Sequence, residues 1–208
     1  NLSSFHRQQQ QYLLQSLINY TIKQGNSGDG DFVFENLQLY QLGLRHALLL
    51  EYQRLNDMTY ISIVNVALRA KEVAWCQEFI EDYASYLPAH NRKDAKALAT
   101  ALWHYANRQP EMATKLLQEV SFLNVYYQIQ ARVLLIKLFV EGGLRGEDHT
   151  ELILSQTDAF ERYLRRNDKV GKGQKEALLN FAFYIKKISK LRLEPTFPQL
   201  KSELRKEM

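Results

Sequence analysis

The chain has one cysteine, Cys76, in 208 residues, so it can form no internal disulfide. A reducing compartment fits that usage, and the cytoplasm is the expected location. Four prolines and nine glycines are too few for the many tight turns of an all-β fold. No stretch of 18 uncharged apolar residues occurs, so no membrane span is expected. The opening Asn1-Leu-Ser-Ser-Phe-His is polar and lacks the apolar core of a signal peptide. It begins without methionine, and the chain is therefore expected to be a fragment of a longer protein or a processed form.

What is present points to helix. Apolar residues make up 46% of the sequence and charged residues 24%, which is ample material for a core. Residues 1–208 read as a single helical-repeat domain. The net charge of +4 is uneven. Residues 161–208 carry 13 Lys/Arg against 6 Asp/Glu, a net +7, while the rest of the chain is net −3.

Apolar positions recur at helical spacing along almost the whole chain, and no run alternates as a strand would. Helices are expected at Ser4–Lys23, with Gly25 as the stop, and at Phe34–Leu55, after a Gly- and Asp-rich loop over 25–31. Asn56-Asp57 offers an N-cap for a third helix through Arg69. Further helices are expected at Val73–Leu87, Arg92–Asn107, Pro110–Val120, Val125–Glu141 (closed by Gly142-Gly143), Thr150–Arg166 and Gln174–Leu191. Pro195 and Pro198 break the chain, with room for a last short helix beyond them. Helices of this length on short links pack as antiparallel neighbours.

Consecutive hairpins invite a search for a period. One copy aligns Ala101, His104, Arg108, Ala113 and Leu117, and an earlier one Val64, Ala67, Lys71, Cys76, Ile80 and Pro88. Ala101, His104 and Arg108 also map onto Leu135, Leu138 and Gly142 at a spacing of 34. In these positions the chain resembles the tetratricopeptide repeat, with small, aromatic, turn, small and large apolar residues in that order. The match is degenerate. It lacks the family's tryptophan and its small-residue glycine, Cys76 and Ala113 lie 37 apart, and 142–148 is an insertion. The resemblance covers 57–167 through hairpins 57–88, 92–120 and 125–167, with 1–56 and 168–208 as divergent hairpins or caps. The texture is also similar to that of large bacterial tetratricopeptide-like proteins, in Tyr163-Leu-Arg-Arg-Asn167 followed by Leu178-Leu-Asn-Phe181. The fold implied is all-α, a right-handed α-α superhelix (solenoid) of antiparallel helical hairpins.

A search for chemistry returns little. His6, His46, His90, His104 and His149 form no metal-binding motif, so no metal and no cofactor is expected. Cys76 sits where two helices cross and reads as inert and buried. Asp29 and Asp31 lack the spacing of a calcium loop, and the 25–31 loop is no phosphate cradle. Glu78, Glu81 and Asp82 share one helix and read as a solvated face. Arg162, Arg165 and Arg166 share another face, followed by Lys169, Lys172 and Lys175, while Lys186, Lys187, Lys190 and Arg192 crowd the last long helix. These cations read as a solvated surface or a site for an acidic protein, with phosphates as the lesser alternative.

The expected function is therefore non-catalytic: an interaction scaffold or adaptor that binds a peptide or protein. The resemblance places ligand contacts on the concave face, at Ile61, Asn65, Leu68, Arg69, Leu98, Leu102, Tyr105, Arg132, Ile136 and Phe139. The polar members, with Tyr105, are the candidate site, namely Asn65, Arg69, Tyr105 and Arg132. The apolar members serve equally well as core. Two rival readings stand beside this one. One is a helical module that binds nucleic acid through its basic C-terminal end. The other is the helical regulatory part of a longer enzyme.

Overall fold

The computed structural model describes residues 5–26, 31–145 and 149–191. Among them helix dominates, in the order α1 (Arg7–Asn26), α2 (Asp31–Arg45), β1 (Leu50–Glu51), β2 (Arg54–Leu55), α3 (Asp57–Arg69), α4 (Val73–Tyr83), α5 (Ala89–Ala106), α6 (Pro110–Glu119), α7 (Val125–Arg145), α8 (Thr150–Arg166) and α9 (Lys172–Leu191). Among the described residues the fold is all-α apart from one small hairpin. It divides into two compact units, Asn1–Asn124 and Val125–Met208.

In the first unit α2 ends ten residues before the expected Leu55. Ala47 turns into the left-handed region, at φ 52°. Its N–H then bonds the Leu44 carbonyl at 3.0 Å, and the Leu48 N–H bonds that of Gly43 at 2.7 Å. This is a Schellman termination, a reversal usually assigned to glycine. From α1, Arg7 donates to the Ala47 carbonyl at 2.7 Å and Gln11 to that of Leu48 at 3.1 Å, which satisfies the carbonyls of the reversal. The chain then pairs Leu50 with Leu55 and Glu51 with Arg54 across Tyr52-Gln53, both at positive φ. That is the primed turn of a two-residue hairpin, made without the usual Asn-Gly. The expectation of no strand is corrected to this extent.

The same reversal ends α3 and α5. Lys71 and Arg108 occupy the left-handed region at φ 62° and 57°. Lys71 and Glu72 donate to Leu68 and Ala67, and Arg108 and Gln109 to Tyr105 and His104. Five residues after each reversal comes a small, fully buried side chain, Cys76 or Ala113, and four residues later a buried Ile80 or Leu117. Val64 and Ala101, seven residues before each reversal, are fully buried too. The hairpins α3–α4 and α5–α6 thus share one local plan at an offset of 37 residues. Asn56 caps α3 as expected, accepting from the Met58 and Thr59 N–H groups.

Around this frame, Tyr60 is buried and donates its hydroxyl to the Ile80 carbonyl at 2.9 Å, and Trp103 donates to that of Val73 at 2.9 Å. Arg92 donates to the Ser85 and Leu87 carbonyls, past the end of α4, where a single 3-10 turn (Ala84–Tyr86) replaces the last expected helical turn.

Two expected glycine stops are corrected. Helix α1 runs through Gly25 to Asn26, and α7 runs through Gly142-Gly143 to Arg145. Glycine permits the left-handed exit without requiring it. The turn assigned to Gly142 in the third repeat copy is therefore not a turn. In this second unit α8 packs on both α7 and α9. Its core gathers Ile129, Ile136, Phe160, Leu164 and Val170, with Tyr163, Leu178, Phe181 and Ile185 against them. The Gly- and Asp-rich stretch 27–30, residues 146–148 of the insertion and the expected short helix after Pro198 lie outside the described residues.

Candidate functional site

The four residues predicted from the repeat fall in different surroundings. Asn65 and Arg69 are exposed on α3, four residues apart and so on one face. The Asn65 amide bonds its own helix at the Ile61 carbonyl, 3.0 Å away. Tyr105 is half-buried on α5. The apolar positions Ile61, Leu98, Ile136 and Phe139 are buried, so there the core reading holds.

Arg132 belongs to the second unit, on α7. Its guanidinium lies over the ring of Tyr163, 4.9 Å from the centroid, in cation–π contact. Tyr163 stands on α8 beside Arg162 and one turn before Arg166 and Asn167. At the end of α8 the Asn167 amide donates to the Tyr163 hydroxyl at 3.0 Å, and the Asn167 side-chain oxygen accepts the Lys169 N–H at 3.0 Å. That Asx turn swings Lys169 back toward the helix end. Together these residues line a hollow of about 640 Å³, the side chains of Arg132, Arg162, Arg166 and Lys169 around it.

One carboxylate, Asp168, also lines the hollow. Its side chain is fully exposed and meets only the outer limit of an ion pair with Lys175, at 4.0 Å. Four cations against one exposed carboxylate make a basic recess with an aromatic wall and an amide at its edge. Cations near a helix C-terminus are favoured by the helix dipole, which accounts for Arg165 and Arg166. Arg132 comes from a different helix, and the dipole of α8 does not account for it.

The rest of the basic end divides differently from expectation. Lys186 bridges α9 to α8, bonding Glu161 at 2.9 Å and Asp158 at 3.1 Å. The bond to Glu161 leads in holding its ammonium above the usual lysine range. This lysine is part of the fold rather than of a free basic surface. Lys187 and Lys190 are exposed, and Arg192 lies outside the described residues.

Cys76 is buried, and burial pushes its thiol up to about 12. At neutral pH it is a packed thiol, not a nucleophile. Among the described residues no group of three His, Cys, Asp or Glu side chains has the arrangement of a metal site. Among them also, no helix is long and apolar enough to cross a membrane.

The sequence shows that Arg162 and Arg166 share a face, because they lie four apart. It holds no local signal that Arg132, 30 residues earlier, joins them, nor that Tyr163 is the platform.

No family model, curated protein or solved structure matches this chain.

Proposed function

We propose that the chain is a non-catalytic binding module that takes an acidic segment of a partner protein into the basic hollow at the end of α8. In this reading its hairpins are stacked as in a right-handed tetratricopeptide-like solenoid. The shared plan of α3–α4 and α5–α6 supports the repeat. The observation that carries the function is the meeting of Arg132, Arg162, Arg166 and Lys169 around one recess. Arginine suits the task, because its planar fork pairs carboxylates bidentately, and that of Arg132 already lies over Tyr163. The recess offers charge, a ring face and an amide, which are means of recognition. Asn65, Arg69 and Tyr105 are further contacts that the repeat resemblance assigns to the first unit.

The same cations suit phosphodiesters, so the test compares the two. Labelled peptides rich in Asp and Glu are titrated by fluorescence anisotropy against single-stranded oligonucleotides of equal charge. The acidic peptide is expected to bind more tightly, and Arg132→Ala with Arg166→Ala to weaken it by about tenfold or more. Tighter oligonucleotide binding overturns the reading in favour of nucleic acid. Peptide binding that survives the double substitution removes the hollow as the site. Arg69→Ala reports separately on the first unit.

A further inference from the structure

A second recess lies in the first unit, between α2 and α4, and its chemistry is the opposite. Along α4, Trp75, Phe79 and Tyr83 recur every fourth residue. Their rings stack near-parallel, with centroids 5.4 Å and 5.0 Å apart at interplanar angles of 15° and 26°. Phe79 turns inward, where it is buried and meets Tyr60 at 5.1 Å. Trp75 and Tyr83 remain half-exposed. The ladder lines a hollow of about 380 Å³, with Glu78 and Asp82 on α4 and Arg45 on α2 also facing it.

Both carboxylates are exposed, as a solvated face would be, and they stand beside the ring ladder. Glu78 and Asp82 lie four residues apart on one helix, where like charges repel. Among the described residues neither makes an ion pair, whereas Glu81 on the same helix binds Lys96 at 2.6 Å. Arg45 lines the hollow yet pairs with neither of them. Burial, then Tyr86 and last Asp82 hold the Tyr83 hydroxyl above its ordinary range.

We propose that this recess docks the side chain of an arginine in a basic peptide segment, its guanidinium against the Trp75–Tyr83 ladder and its N–H groups on Glu78 and Asp82. Ring faces attract cations, and a planar guanidinium both stacks on them and donates to two carboxylates at once. An ammonium fills the charge requirement alone. Arg45 is a competing cation, set on the opposite wall.

The test uses the whole chain and fluorescein-labelled Arg-Gly, Lys-Gly and citrulline-Gly repeat peptides of equal length, read by anisotropy. The arginine peptide is expected to bind best, the lysine peptide several-fold more weakly, and the uncharged citrulline peptide not at all. Glu78→Gln with Asp82→Asn should weaken the arginine peptide by about tenfold, and Trp75→Leu by several-fold. Arg45→Gln should tighten it, which no loss of folding imitates. Glu111→Gln, on the exposed start of α6, should change nothing. The proposal is overturned if the arginine peptide fails to bind, or if citrulline binds equally. It is also overturned if Glu111→Gln weakens binding as much as the Glu78 and Asp82 pair does.

Discussion

Replacing glycine by alanine inside a helix normally stabilises a protein by about 0.5–1 kcal/mol, because glycine loses the most backbone freedom on folding. Two glycines of this chain should respond with opposite signs. A Cβ built on Gly43, in α2, would stand 2.7 Å from Leu14 Cδ2, 2.8 Å from Leu49 Cγ and 3.0 Å from Leu49 Cδ1. Carbon atoms in contact prefer about 3.5–4.0 Å, so both leucines must move by most of an ångström. Leu14 is only 2% exposed and has little space to move into. Overpacking of this kind costs about 1–3 kcal/mol, and after the helix-propensity gain Gly43→Ala should lose about 1–2 kcal/mol net. Gly173, in the first turn of α9, has nothing within 4 Å of a built Cβ. Gly173→Ala should gain up to about 0.5 kcal/mol. Urea melts followed by far-UV circular dichroism measure both. A gain at Gly43 equal to that at Gly173 would refute the close approach of α1 and α2, and with it the placement of α1.

Other outcomes follow from the same structure. Lys71→Gly and Arg108→Gly remove left-handed strain at two independent sites and should together raise stability by about 1–2 kcal/mol, whereas alanine at either site stays within about 0.5 kcal/mol; equal thermal shifts for glycine and alanine would disprove the strain. Ala113→Leu fills a fully buried crossing and should cost roughly 1–3 kcal/mol, so an unchanged melting temperature would show the hairpin register to be wrong. Cys76 should resist a thiol reagent at pH 8 until the protein unfolds. Its pKa is raised on folding from 9.0 to about 12, so its contribution to stability is full below pH 9 and is lost as pH climbs toward 12. Cys76→Ala should flatten that alkaline slope, while Tyr60, whose pKa burial also raises from 10.0, keeps part of it.

Helices were legible in the sequence because burying one stripe of a 3.6-residue turn leaves a period that any reader can count. Their ends were less so. Ala47, Lys71 and Arg108 reverse the chain where glycine would have announced it, and Tyr52-Gln53 turns a hairpin without Asn or Gly. Conversely, Gly25 and Gly142-Gly143 announced ends that do not occur. Boundary signals are preferences of about a kilocalorie, and packing against a neighbouring element outweighs them. Here Arg7 and Gln11 of α1 hold the carbonyls of the Ala47 reversal. That contact spans about 40 residues of sequence and leaves no local trace.

The two recesses divide in the same way. Charge on one helix face can be read from spacing, as with Arg162 and Arg166, or with Glu78 and Asp82. A site also needs a group from elsewhere to close it, and only packing supplies that group. Arg132 closes the basic hollow because α7 lies against α8, which sets its guanidinium over Tyr163. Arg45 faces the acidic hollow because α2 stands opposite α4 across it. In each case the added residue changes the chemistry. Arg132 adds a fourth cation to a basic recess, whereas Arg45 sets a cation opposite two carboxylates and leaves that recess only weakly negative. Binding at the basic hollow, with four cations against one carboxylate, should therefore loosen more steeply with salt than binding at the acidic one, where Arg45 offsets one of two carboxylates.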